Sequence, residues 1–222
     1  MDNNICLELC IVKDLLATSR PAKPVDAVIV YSRGLQDPNA NERGDDEELL
    51  ETAVSFVPDF ASLVVINGSN GASKRDQNIR AWPGADDYCR RFMHLGIMNI
   101  ITSMPATDTR DEAVKFTDLI VSHEWKRVIV VNQQHYLLRA MLGALSELYK
   151  RNLHDSVKLF PVAPTSLHWQ RKVFGTQGSS PTPRINQCEP ELRKVLEYPV
   201  LYPENFVPIR MLIDHLIRLN DE

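Results

Sequence analysis

The chain has 222 residues, 44% hydrophobic and 24% charged, the balance of an ordinary globular protein large enough for one substantial domain. Lys and Arg number 25 against 29 Asp and Glu, giving a formal net charge of −4, so the composition carries no electrostatic footprint for nucleic acid. The longest uninterrupted apolar runs, 27–31, 63–66 and 128–131, fall far short of the roughly 20 residues that span a bilayer, and the first residues lack the basic region of a secretory signal.

In chain order, Ile5, Leu9, Val12 and Leu16 recur at helical spacing, which predicts an amphipathic helix over residues 3–17. A β-branched apolar run follows at 25–31, and similar runs recur at 62–67, 127–132 and 156–160, with a weaker one at 98–102. Helical patterns separate them at 47–57, 86–95, 111–123 and 136–150. Strands apolar on both faces belong to a parallel sheet covered by helices. The alternation therefore predicts an α/β protein: a three-layer, Rossmann-like sandwich around a mainly parallel sheet of about five strands.

Beyond residue 163 the composition changes. Residues 175–183 form a Gly/Ser/Pro/Thr stretch expected to be a loop, and two helices are expected at 190–197 and 208–219. Ile209, Leu212, Ile213, Leu216 and Ile217 fall on one face of the second. That stripe needs a partner, either the body of the domain or a second subunit, so a homodimer through this helix is one expectation. The four cysteines (Cys6, Cys10, Cys89, Cys188) show no Cys-x-x-Cys pair and read as reduced thiols of a cytoplasmic protein.

In an open parallel sheet, ligands bind outside the carboxyl ends of the strands, where the strand order reverses. The first strand is followed there by Arg33 and Gly34, and the second by Asn67, Gly68, Ser69 and Gly71. The amides of this glycine-rich turn are candidates for an anion-binding nest, with Lys74 and Arg75 nearby for charge; a turn without a ligand is the alternative. No Walker A loop and no Gly-x-Gly-x-x-Gly fingerprint is present. Thr109-x-x-Glu112 has the form of a capping box; alternatively, Asp111 and Glu112 offer carboxylates for general acid/base work or metal ligation. His135 and Arg139 lie four apart, hence on one face of a helix. A guanidinium grips phosphate or carboxylate while an imidazole trades protons; the alternative is a solvent-facing His and an Arg paired with an acid. No His-x-x-x-His or Gly-x-Ser-x-Gly occurs, so neither a metal signature nor a serine nucleophile elbow is present. The three tryptophans read as packing anchors.

The order of these segments resembles the YdcF/SanA/ElyC-like family over residues 25 to about 165. The resemblance is carried by 26–30 followed by glycine, by the turn 66–71, and by 88–97 with its Leu-Gly-Ile ending. Thr109-Arg-Asp111-Glu112-Ala113 resembles the family's Thr-x-Glu-Asn-Ala motif, and residues 130–140 resemble its Val-Thr-Ser-x-Tyr-His-x-x-Arg-Ala motif. The chain differs in having Asp111 and Glu112 for the family's Glu and Asn, and in placing His135 before Tyr136. The resemblance implies a Rossmann-like pocket for a phosphorylated or nucleotide-like small molecule, and a reaction that the family itself leaves poorly defined.

Taken together, the sequence predicts a small anionic ligand (phosphate-bearing, nucleotide-like or adenosyl-type) at the carboxyl edge of the sheet. Asp111, Glu112 and His135 are the candidate acid/base groups. Arg33, Gly34, Asn67, Gly68, Ser69, Gly71, Thr109 and Arg139 are the candidate ligand contacts. S-adenosylmethionine or a nucleotide is the candidate cofactor, a divalent metal remains compatible, and hydrolysis or transfer at a phosphate is the chemistry implied. A non-catalytic module working through the C-terminal helices is the alternative.

Overall fold

The computed structural model describes residues 12, 15–17, 19–32, 47–71, 83–165, 169–173 and 182–220. The five apolar runs become β1 (Ala27–Val30), β2 (Val64–Ile66), β3 (Ile100–Thr102), β4 (Arg127–Val131) and β5 (Lys158–Val162). They pair in the order β3-β2-β1-β4-β5, and every pairing is parallel. β1 and β2 are wholly buried, whereas the weaker run became the edge strand β3, whose residues stay partly exposed. β5 runs two residues past the expected end because Pro161 lies within it. An edge strand tolerates proline, since no outer neighbour requires its missing N–H.

The helices between strands are α1 (Glu47–Val54), α2 (Ala85–His94), α3 (Thr109–Ser122) and α4 (Gln134–Lys150). α1 stops three residues earlier than its apolar pattern, because Pro58 disfavours helical backbone at Val57. α2 ends at Gly96, whose φ of +90° is the left-handed terminus that glycine adopts without strain. α3 and α4 lie side by side, as successive right-handed crossovers on one half of the sheet require. Gly143 sits inside α4 facing α3, where an added Cβ would meet only the Ala113 Cβ at 3.7 Å.

Past β5 the chain forms a small antiparallel ladder of β6 (Lys172–Val173) and β7 (Thr182–Pro183), a 3-10 turn at Arg184–Gln187, then α5 (Cys188–Leu201) and α6 (Ile209–Asn220). The expected loop 175–183 lies mostly outside the described residues, but both of its flanks are held in this ladder. Of the two partners conceivable for the α6 stripe, the body of the same chain provides the cover: Leu212, Ile213 and Leu216 are fully buried, and α6 packs on α4 and α5. Ile217 alone of the five remains substantially exposed. Of the expected amino-terminal helix, Val12 and residues 15–17 are described and helical, with Val12 in the core. Among the described residues no helix is long and apolar enough to cross a membrane.

Candidate functional site at the carboxyl rim

Because all five strands are parallel, the junctions after β2, β3 and β4 open on one rim of the sheet, and the order reverses between β1 and β4. Gly68, Asp111, His135 and Arg139 therefore belong to rim junctions and the first turns of their helices. Arg33, Gly34, Lys74 and Arg75 lie outside the described residues.

The turn after β2 differs from the expected anion nest. Asn67 Oδ1 accepts the Ser69 N–H and the Ala106 N–H, each at 3.0 Å, and its Nδ2 donates to the Ala106 carbonyl at 2.9 Å and to Glu112 Oε1 at 3.2 Å. The Gly68 N–H points to Ser103 Oγ at 3.4 Å, and the Gly71 N–H donates to Ser69 Oγ at 3.1 Å. The amides of Gly68, Ser69 and Gly71 are thus taken up by side chains of the same rim. Asn and Ser close such turns on themselves, and that competition explains the correction. Gly68 does allow a close backbone approach, but to Ser103: a Cβ there would lie 1.9 Å from the Ser103 carbonyl oxygen.

The start of α3 also differs from the expected capping box. The N-cap is Asp108, one residue before Thr109, and its carboxylate accepts the N–H groups of Arg110 and Asp111. Asp111 returns the favour by accepting the Thr107 N–H at 3.2 Å. Asp111 is therefore engaged in the helix cap, while Glu112, displaced one position from it, turns inward, is 5% exposed and meets Asn67. Replacing Asp108 by alanine should lower stability by about 1 kcal/mol, the usual worth of an N-cap; an unchanged urea midpoint would show the cap to be dispensable. Tyr31, the residue after β1, feels the charge of Glu112. Burial, then the charges of Glu112 and Glu147, push the Tyr31 hydroxyl well above its ordinary pKa, which keeps it protonated.

At the β4–α4 junction, Asn132 and Gln133 are completely buried. Asn132 Oδ1 accepts the Gln133 N–H at 2.7 Å, while its Nδ2 has no partner among the described residues. A buried amide donor left unmatched costs about 1–3 kcal/mol, and it sits where the strand order reverses. His135 and Arg139 share α4 but have different company. The imidazole packs on Tyr136, with ring centres 4.1 Å apart, and 6.1 Å from Trp169. Arg139 Nε donates to Glu191 Oε2 at 2.5 Å, a buried acid rather than the surface acid of the alternative reading. Lys194 meets the other oxygen of Glu191 at 2.6 Å. Burial pushes the Glu191 carboxyl upward, but the Arg139 charge and the hydrogen bonds from Lys194 and Arg139 outweigh it, and the group titrates below its ordinary value.

The described residues 169–173 and 182–187 lie against the first turns of α1 and α4. Arg171 Nη1 meets Glu48 Oε1 of the first turn of α1 at 2.6 Å, and Arg184 Nη2 lies 3.9 Å from Glu48 Oε2. Arg184 has no exposed surface at all. The Tyr136 hydroxyl donates to Gln187 Oε1, whose amide nitrogen donates to the Val173 carbonyl at 3.1 Å. No motif marks Glu48, Arg171 and Arg184; Asn132 lies within the 130–140 motif segment but is not among the expected ligand contacts. A buried arginine is visible only after the chain has folded back on itself.

Thr109 and Arg139 line a separate cavity of about 350 Å³ on the flank of the rim. Asp108 and Arg110 contribute from the start of α3, Gly143 from α4, and Tyr198, Tyr202 and Phe206 from α5 and the turn after it. Asn67, Asn132 and His135 are not among its described lining residues. Among the described residues, no cluster of three His, Cys, Asp or Glu could hold a metal ion. No family model matches the chain, and no curated protein matches it.

Proposed function

We propose that the chain binds a small anionic ligand, phosphate-bearing, nucleotide-like or adenosyl-type, at the carboxyl rim between β1 and β4, and acts there as a hydrolase or transferase. On this reading it is a divergent relative of the YdcF/SanA/ElyC-like proteins that its motif order resembles. The observation that carries the proposal is the Asn132 amide: fully buried, unmatched among the described residues, and located at the strand-order reversal where such folds take their ligands. The supporting geometry is the placing of the Arg171 and Arg184 guanidinium groups against Glu48 at the rim. Two guanidinium groups facing one carboxylate favour an anion nearby. Glu112 is the buried carboxylate suited to general base work, the protonated Tyr31 hydroxyl is a donor, and His135 supplies an imidazole. Asp111, held in the α3 cap, leaves this set.

The test is a thermal-shift and calorimetric screen with inorganic phosphate, adenosine monophosphate and S-adenosylmethionine, followed by product analysis of those that bind. At least one should stabilise the protein, and Asn132→Leu should weaken that binding at least tenfold, the loss of about one hydrogen bond to a charged partner. Glu112→Gln should retain binding and abolish turnover. No shift with any of the three probes would overturn the proposal.

A further inference from the structure

The flank cavity between α3, α4 and α5 belongs to no part of the rim chemistry above, and its lining has a distinct character. Three rings form one wall: Tyr198 lies 5.8 Å from Tyr202 and 5.2 Å from Phe206 between ring centres. Opposite them, Arg139 is spent only in part. Its Nε holds Glu191, while its terminal Nη groups have no hydrogen-bond partner among the described residues. Glu191, 4% exposed in its side chain, serves both Arg139 and Lys194, so two cations share one carboxylate and a positive charge is left over beside the cavity. Asp108 is occupied as the α3 cap, and the adjacent Arg110 guanidinium, bonded to Asn205, offsets its charge.

The width of the cavity also points to an occupant. Gly143 lines it from the middle of a 17-residue helix, where glycine is a poor choice for helix stability. Packing does not demand glycine there, because a methyl group would meet Ala113 at an ordinary contact distance of 3.7 Å. The missing side chain instead leaves the floor of the cavity open. Its volume of about 350 Å³ falls within the range of small-molecule sites.

We infer that this cavity is a second ligand site that takes a small planar aromatic monoanion, its ring against Tyr198 and Tyr202 and its carboxylate on the terminal nitrogens of Arg139. Aromatic walls supply apolar contact, and a guanidinium edge fits a carboxylate with two parallel hydrogen bonds. The inference does not rest on the rim proposal.

Benzoate and its neutral isostere benzamide, titrated into the full chain by calorimetry and by ligand-observed NMR, test it. Benzoate should bind saturably, with benzamide at least tenfold weaker. Arg139→Gln should weaken benzoate at least tenfold; Lys194 still balances Glu191 in that variant. Tyr202→Ala, at a half-exposed position, should weaken benzoate and benzamide alike. Asn132→Leu should leave benzoate binding unchanged, which separates this site from the rim. Absence of saturable benzoate binding, equal affinity for benzamide, or binding indifferent to both Arg139→Gln and Tyr202→Ala would overturn the inference.

Discussion

Replacing Gly68 by alanine should destabilise the protein by roughly 3 kcal/mol, the upper end of what forced overpacking ordinarily does. The reason is steric: the new methyl carbon would lie 1.9 Å from the Ser103 carbonyl oxygen and 3.1 Å from its carbon. Both are backbone atoms, so no rotamer change relieves the clash. Either the β2 turn or the segment after β3 must move, and Asn67 ties those two together by two hydrogen bonds, to both polar groups of Ala106. Movement there breaks part-buried hydrogen bonds and displaces Glu112, so the ligand binding proposed at the rim should fall along with stability. Urea unfolding measures the first effect. The control is Gly96→Ala, where φ is +90° but open space surrounds the new group; backbone strain alone should cost about 1 kcal/mol there. Equal losses in the two variants would show that the close approach at Gly68 is easily relaxed.

The second large effect is a loss of stability in acid that originates at His215. This imidazole is buried on α6 against β5, where its Nε2 accepts the Leu159 N–H at 3.3 Å. Burial lowers its pKa from 6.5 to about 4; the Leu159 backbone contact opposes the shift, and the charges of Arg218, Lys158 and His154 add to it. Below pH 6.5 the unfolded chain takes up a proton that the folded chain refuses, so the unfolded state binds more protons and stability rises with pH. The contribution is complete above the unfolded value of 6.5 and is lost as pH falls toward the folded value of about 4. Its full size is about 3 kcal/mol. Urea midpoints should therefore fall between about pH 7 and about pH 4.5 in the natural chain and fall much less in His215→Gln. Parallel pH profiles for the two proteins would assign the acid sensitivity elsewhere.

The fold was legible wherever a residue type carries its own consequence. The β-branched runs at 27–30, 64–66 and 127–131 announce strands that are apolar on both sides, and the weakness of 100–102 already carried the information that it lies at an edge. The rim junctions followed from this, because parallel strands leave their carboxyl ends together. The individual roles did not follow. Whether a turn such as 67–71 presents its amides to a ligand or closes on its own side chains depends on what Asn67 finds across from it, and that partner lies 39 residues away at Ala106. Thr109-x-x-Glu112 and Asp108-x-x-Asp111 are nearly the same pattern shifted by one residue. The sequence offers both frames; the structure adopts the Asp frame, in which a short side chain reaches the amides, and so frees Glu112 for the interior. Arg139 and Glu191, 52 residues apart, met through a helix whose position no local pattern fixes.

The seat of α6 has a practical consequence. Arg218 pairs with Asp155 and reaches the His154 carbonyl, just before β5 begins, so the last turn of this helix lies at the amino ends of the strands. Asn220, the last residue of α6, therefore lies on the side opposite the carboxyl rim. A sensor chip or affinity matrix attached there would hold the molecule with the rim facing solution, which suits surface-based measurement of the ligands proposed above.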